Sequence, residues 1–438
     1  MGAADFQSTT TTQLKRVAWL SSRDQARQFD NLMHHFNEAS LEDCFRRLDG
    51  RKAVGIDGVT KEQYAERLDE NLTQLIRRMR SMAYRPGPVR EVRIPKEGQP
   101  GATRGLGISN IEDKIVQKMM QQILQSIYEP LFLDCSYGFR PNRSCHDAIK
   151  SLHQHLYRHN VSTVIDVDLK SYFDTIDHEL LESMLRDKIK DQRFMRYIKR
   201  IFRAGILSAG EFSVSDEGVP QGSVCSPVLS NIFAHYVIDE WFEGVVKQHC
   251  KGKVAMFRYC DDAVICCQED KDAKRIVTAL AKRLAKYKLQ LNEDKTRGVR
   301  FSRSLAVLGV KQETFDFLGF TFYLGRTRKG HIIPMVKSSG KRLRSKLRRV
   351  AKWIKMAKHR YRLMDLWQIF CAKLRGHIQY YGVSFNTRYV VRFLEAAKRI
   401  AFKWLNRRSD RKSFNWQQFN SFLELNPLPQ VRVHHALF

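Results

Sequence analysis

Apolar residues keep two different periods along this chain, and the switches between them mark its regions. Between 23 and 48, Phe29, Leu32, Met33 and Phe36, then Leu41, Cys44, Phe45 and Leu48, recur every three or four residues, which predicts two short amphipathic helices. The polar tract before them, Ser8-Thr9-Thr10-Thr11-Thr12, is expected to be mobile. A glycine-punctuated loop, Gly55-Ile56-Asp57-Gly58, leads to a helix expected over 61–80. Residues 84–96 read as an extended arm with alternating basic positions, closed by 104–109, and a helix follows over 112–128. Residues 164–169 have the make-up of a buried strand. The runs 254–257 and 263–266 have strand length on either side of a polar tip, a pattern that predicts a β-hairpin. A basic amphipathic helix is expected over 270–287, and segments at 289–296 and 315–320 complete the strand-bearing region. Beyond 326, Leu343, Leu347, Val350, Ile354, Ala357 and Tyr361 keep helical spacing, with further helices over 366–381 and 389–404.

Charge changes the picture most. A formal net charge of +30 on 438 residues makes a polyanion the natural partner, and 26 Phe, 15 Tyr and 6 Trp exclude a disordered basic tail. From 326 to 362 there is no acidic residue while lysine and arginine recur. A helix there with one apolar stripe and an otherwise basic surface fits a phosphate backbone better than a merely solvated face. No apolar run is long enough to span a membrane and no signal peptide opens the chain, so a cytoplasmic setting without membrane contact is expected. The nine cysteines are scattered with no Cys-x-x-Cys spacing, which fits a reducing compartment and gives no zinc site.

Candidate chemistry centres on Tyr259-Cys260-Asp261-Asp262 at the hairpin tip. Adjacent carboxylates raise each other's pKa unless a cation holds them, and a hard divalent ion takes oxygen ligands. An Asp-Asp turn by itself is commonplace. A second acidic stretch, however, lies in the strand 164–169, where alternation puts Asp166 and Asp168 on one face, with Asp168 at the strand's end. Acids inside an apolar strand are costly unless paired, and a metal shared with Asp261 would pair them. Lys96 and Arg104 flank a loop from which they could grip a triphosphate. Gly222 would let backbone approach a ligand, and Gln221 could bond a base or sugar. The loop Tyr137-Gly138-Phe139-Arg140, with Arg143, mixes aromatic faces and guanidinium groups suited to RNA, as do the tail aromatics Phe414 and Trp416.

Taken in order, Gly55-Ile56-Asp57-Gly58-Val59, Ile94-Pro95-Lys96, Tyr137 to Pro141, Asp168 with Phe173, Pro220-Gln221-Gly222, Tyr259 to Asp262, Lys295-Thr296, Phe317 to Phe320 and the segment Leu374 to Gly382 resemble reverse transcriptases of the group II intron lineage. The resemblance runs from about Leu41 to the C-terminus. It implies an α+β right-hand polymerase: an N-terminal helical extension (1–50), fingers and a palm with a ferredoxin-like sheet (51–325), and a basic all-helical thumb of maturase type (326–438). It implies that Asp168, Asp261 and Asp262 carry two magnesium ions, for which manganese could substitute, and that Lys295 assists the departing pyrophosphate. Lys96, Arg104, Leu169, Phe173, Gln221 and Tyr259 would border the incoming deoxynucleotide, with Phe173 crowding the sugar 2′-carbon. Tyr137, Phe139, Arg140 and Arg143, with Lys341, Arg342, Arg344, Arg348, Arg349 and Lys352, would hold RNA.

Cys260 stands where alanine is common in the family's palm motif. The resulting Tyr-Cys-Asp-Asp resembles the second type of defence-associated reverse transcriptase, which pairs with a structured noncoding RNA and copies it into cDNA against phage. That role is the expectation. An intron-encoded maturase that assists splicing and copies its own intron is the alternative, and a non-catalytic RNA-binding splicing factor is a reading of another class. The intact aspartates argue against the last.

Overall fold

A computed structural model of the chain describes residues 3–95, 101, 103–208, 211–213, 217–218, 222–408 and 415–438. Its strands in chain order are β1 (Val89–Pro95), β2 (Thr103–Ile108), β3 (Thr163–Val167), β4 (Ile206–Ser208), β5 (Glu211–Ser213), β6 (Val254–Tyr259), β7 (Asp262–Cys267), β8 (Arg297–Arg300), β9 (Phe315–Phe317), β10 (Phe320–Arg326) and β11 (Ile332–Ser338). They form three sheets, ordered β2-β1-β4-β5, β6-β7-β3-β8 and β11-β10-β9. Helices fill the spaces between the sheets before Arg326 and make up nearly everything after Ser338. The chain is thus a mixed α+β fold, as its two periods predict.

The central sheet, β6-β7-β3-β8, is antiparallel throughout, and strand alternation sorts its side chains into two cores. Ile165, Val167, Ala263, Ile265 and Met256 face a core shared with the helix Ile111–Tyr128 and with the helical stretch 226–249. Val164, Val264, Cys266, Phe257 and Val299 face the other core, built with the helix Cys145–Arg158, the sheet β9–β11 and the C-terminal helices. Asp166 and Asp168 follow Val164 on this second face, and Asp262 precedes Val264 on it.

Arg258 lies on the first face and is fully buried. Its guanidinium forms a two-pronged pair with Asp239, Nε to Oδ1 at 2.7 Å and Nη2 to Oδ2 at 2.5 Å. Asp239 is equally buried, on a π-helical segment, His235–Asp239. The remaining donors reach the Cys260 carbonyl at 3.0 Å, Asn231 Oδ1 at 3.2 Å and Ser136 Oγ at 2.8 Å. One side chain therefore ties the hairpin turn to two other segments.

Four elements differ from expectation. The stretch 326–438, expected to be all helical, begins with the strand β11, which completes a hairpin with β10 before the helices start at Gly340. The single helix expected over 61–80 is two, Lys61–Ala65 and Leu68–Arg80. Residues 3–23, expected to begin as a mobile tract, form a helix, Ala3–Arg23. Val17 and Ser21 on it are buried, and Ser21 Oγ donates to the Ile127 carbonyl at 2.5 Å. Packing against a long neighbouring helix outweighs the weak propensity of a threonine run. Of the two helices expected over 23–48, only Glu38–Arg46 is a full α-helix; the first is an extended segment with Phe29 bridged to Ile189, then a single turn, Met33–His35. Its carboxylate partner is remote in sequence, since Asp191 accepts from the Leu32 and Met33 amides at 2.7 and 3.2 Å.

A buried ion pair broken on one side leaves an uncompensated charge. Asp239→Ala is therefore expected to cost about 3–5 kcal/mol of unfolding free energy in urea titrations, whereas replacing both Asp239 and Arg258 by apolar residues of similar size should cost much less. Equal losses for the single and double variants would show that the pair itself, and not the stranded charge, sets the penalty.

Candidate active site

The hairpin β6–β7 closes through the pair Tyr259↔Asp262, leaving Cys260 and Asp261 as a two-residue turn. Cys260 takes φ +62, the left-handed start that such tight hairpin turns require. It does so buried, at 3% exposure, with its carbonyl held by Arg258. From above, the Tyr137–Arg140 loop presses on the turn, so that a Cβ at Gly138 would lie 2.6 Å from the Cys260 amide nitrogen. Asn231 Nδ2 fixes the Gly138 carbonyl at 2.6 Å. Backbone this close tolerates only glycine.

β3 pairs with β7 up to Val167↔Ala263, so the next residue, Asp168, stands level with Asp262 across the strand gap. Asp168 is held from the other side by the loop before β8. Its main chain bonds Asn292 N at 2.8 Å and Thr296 Oγ1 at 3.2 Å. Its Oδ2 accepts from Asn292 Nδ2 at 2.8 Å and from Lys295 Nζ at 3.1 Å. Both side-chain contacts fall on one carboxylate oxygen.

Electrostatics single out the neighbouring carboxylates. Burial first, then the Asp261 charge and more weakly those of Asp168 and Asp166, push Asp262 up to about 6, opposed by Arg342. Asp261 is raised by burial and by Asp168, with Arg104 and Arg258 pulling it back. Asp166 is also pushed up to about 6, by burial and then by Asp316 and Asp168 against Arg297. Two basic residues from distant parts of the chain, Arg104 on β2 and Arg342 at the start of the helix Gly340–Ala357, thus lie within electrostatic reach of the acidic pair.

Lys96, Gln221 and Phe414 lie outside the described residues. Gly222, at φ +106, makes its close approach to the protein itself rather than to a ligand, since a Cβ there would meet the Gly107 carbonyl at 2.3 Å. Gln117 Oε1 holds the next residues, Ser223 Oγ at 3.0 Å and Val224 N at 3.1 Å. Leu169 turns its side chain into the first core, leaving only main chain for a nucleotide. Phe173 is half-buried, edge-on to Tyr172 at 5.5 Å.

The expectation for Arg140 and Tyr137 is corrected. Arg140 is buried and spends its donors on Glu129 and on the carbonyls of Leu133, Ser136, Phe132 and Glu129. Tyr137 is buried at 9% exposure beneath Arg143, itself paired with Asp134 at 2.6 Å. Only Phe139 of that loop is largely exposed, its ring 6.2 Å from Tyr259. On the helix Gly340–Ala357, Lys341, Arg342, Arg344, Arg348, Arg349 and Lys352 are all exposed, as expected. Sequence reasoning missed Arg258 and Asp239; an arginine within an apolar strand was the one signal available for them.

Residues 94–322 match the family described as reverse transcriptase (RNA-dependent DNA polymerase). The chain belongs to that family. Among similar proteins, Protein YkfC of Escherichia coli is 34% identical over 313 residues, 65% of this chain and 79% of its own length. The group II intron-encoded protein LtrA of Lactococcus lactis is 34% identical over 192 residues, 44% of this chain and 32% of its own. A putative COX1/OXI3 intron 2 protein of Saccharomyces cerevisiae is 39% identical over 163 residues, 37% of this chain and 19% of its own. Against these two intron-encoded relatives, the matched region spans a third or less of their length.

Reverse transcriptases generally use divalent metal ions. Among the described residues no three acidic, histidine or cysteine side chains close into a ready-made metal cage. The donor set still fits magnesium, which keeps much of its water and takes one or two carboxylates alongside substrate phosphates. Mutually repelling, half-buried carboxylates are what such an ion would relieve.

Because Asp262 and Asp166 titrate above the ordinary carboxylate range, the folded chain holds protons that the unfolded chain has already released. Their ionisation therefore lowers stability as pH rises from about 4 through 6, and protons compete with metal in the same window. Magnesium or manganese affinity, measured calorimetrically, should weaken steadily as pH falls through about 6. Affinity that stays flat from about pH 7.5 to 5 would contradict this electrostatic account.

Proposed function

We propose that the chain copies RNA into DNA at the end of the central sheet, with Asp168, Asp261 and Asp262 as the metal-binding acids. The observation that carries this is their convergence: a tight turn and a neighbouring strand bring three carboxylates to one edge, where the charge of Asp168 raises Asp261 and that of Asp261 raises Asp262. When bound, two magnesium ions would activate the primer 3′-hydroxyl and neutralise the triphosphate. The central sheet then serves as palm, the β1–β2 arm as fingers and the helices from Gly340 onward as a thumb. Arg104 and Lys96 would take the triphosphate from the fingers side. Lys295, already on Asp168, would steady the charge that develops on the departing pyrophosphate. Phe173, set after the left-handed turn at Ser171, would crowd the sugar 2′-position.

Replacing Asp261 and Asp262 with asparagine should reduce primer extension on RNA by several orders of magnitude while RNA binding and the unfolding midpoint hold. Near-native extension by that double variant would remove these residues from the chemistry. Phe173→Ala is expected to admit ribonucleotides, because the rejection is steric. Incorporation of both nucleotide types by the two proteins measures it, and unchanged discrimination would reduce Phe173 to a packing residue.

The template we propose is a structured RNA dedicated to this protein. Two settings supply one. The intron-encoded relatives favour splicing and copying of an intron, and the Tyr-Cys-Asp-Asp resemblance favours antiphage defence. Sequencing the RNA that co-purifies with the chain separates them: intron ends support the first, a free-standing noncoding RNA the second.

A further inference from the structure

Exposed apolar side chains are ordinary when scattered, but gathered into a patch they mark a contact surface. Residues 301–314 join β8 to β9, and Leu305, Val307, Leu308 and Val310 there all stand open to water. Val307 and Leu308 are 67 and 77% exposed. Residues 304–310 carry no charge, in a chain whose net charge is +30.

The loop is tightly framed. Its ends meet, the Glu313 amide donating to the Arg300 carbonyl at 3.1 Å. Ser302 Oγ caps the short helix Arg303–Val307 by accepting from the Leu305 amide at 3.3 Å. Gln312 closes the other side: its Oε1 accepts from the Ser302 amide at 2.9 Å, and its Nε2 donates to the Val310 carbonyl at 3.0 Å. Arg303 Nη2 donates to the His159 carbonyl at 3.2 Å, tying the loop to the end of the helix Cys145–Arg158. Compact loops closed in this way are frequently functional. Aliphatic side chains held outward on such a frame contribute nothing to the fold that holds them.

The patch lies away from the acids. Arg300, from which the loop departs, is level with Thr163, five positions and roughly 17 Å along β3 before Asp168. Charge then selects the occupant. Arg303 directly precedes the uncharged stretch, Lys311 directly follows it, and Arg158 adjoins the His159 contact. Glu313, the one acid in the loop, is turned back onto the Arg300 amide at 2.9 Å. A second copy of the chain would set this basic rim against itself and add another +30. Nucleic acid stacks on rings, and aliphatic side chains offer it none. Three cations are few for a lipid surface, where stable anchoring takes a polybasic run. An acidic protein segment with an apolar stripe satisfies both the patch and its rim.

We infer that the loop is a docking site for an acidic protein partner. Such a partner lays the apolar stripe of a helix on Leu305, Val307, Leu308 and Val310 and sets carboxylates against Arg158, Arg303 and Lys311. The inference goes beyond RNA copying and does not rest on it. A partner seated here leaves the acid end of the central sheet open, so it stays bound while synthesis proceeds.

The test uses the full chain and a fluorescent amphipathic peptide of about four helical turns, leucine along one face and glutamate on the other. Anisotropy titration should show saturable binding, weakened at least roughly tenfold by Val307→Ser with Leu308→Ser. Both positions are exposed, so the unfolding midpoint and primer extension on RNA should match the native chain's. Arg158→Gln with Lys311→Gln should weaken binding and flatten its salt dependence. The same peptide with lysine for glutamate should bind the native chain at least roughly tenfold more weakly. Equal binding of the two peptides, binding untouched by the serine pair, or no saturable binding would overturn the inference. Self-association in sedimentation that the serine pair abolishes would give the loop to a second copy instead. Recruitment to phosphatidylserine vesicles lost in the same pair would give it to a lipid surface, and either result overturns the proposal. A native chain that binds the peptide but fails to extend a primer would strike only the copying reading.

Discussion

The buried pair between Arg258 and Asp239 is the constraint on which the acidic turn depends. A charge with no water around it must spend every donor, and Arg258 spends its donors on a carboxylate, an amide, a hydroxyl and the carbonyl of the turn. Those four partners belong to three stretches: Asn231 and Asp239 to the helical segment around 231–239, Ser136 to its loop and Cys260 to the turn. Moving any one of them would strand a polar group in a low-dielectric interior, where the loss is large. The turn is therefore fixed by a network whose failure costs more than the strain of holding Cys260 at positive φ.

Above the sheet, the opposite logic holds. Asp166, Asp168, Asp261 and Asp262 are kept close without full compensation, and burial makes their proximity more expensive. Proteins retain such frustration where something else completes the arrangement. Arg104 tempers the repulsion at Asp261 and Arg342 at Asp262. The first is on a strand hairpin and the second on the basic helix, so the field at the acids is set by three regions of the chain at once.

Much of this was legible in the sequence, and the remainder failed for definable reasons. Strand alternation alone put Asp166 and Asp168 on one face, and the apolar runs around Asp261 gave the hairpin. Arg140 and Tyr137 misled because composition does not reveal where a guanidinium points. Backbone carbonyls at the end of a buried loop satisfy it as well as phosphate oxygens do. Gly222 signalled a close approach correctly, but the partner was the strand at Gly107. The Arg258–Asp239 pair was hidden because its members lie on a strand and a helix that only the packed sheet brings together. The threonine-rich start became helical through contacts with Ile127, which no local propensity encodes.

The position of β3 carries one more consequence, which concerns the order of assembly. β6 and β7 are joined by two residues and can pair locally, within microseconds by the pace of hairpins. β3 comes from nearly a hundred residues earlier and must enter between β7 and β8, a contact whose loop-closure entropy is met late. A nascent or partly unfolded chain can thus display Asp261 and Asp262 but not Asp168. Insertion of a single central strand completes the carboxylate set and the sheet together, so no half-folded form carries a complete site.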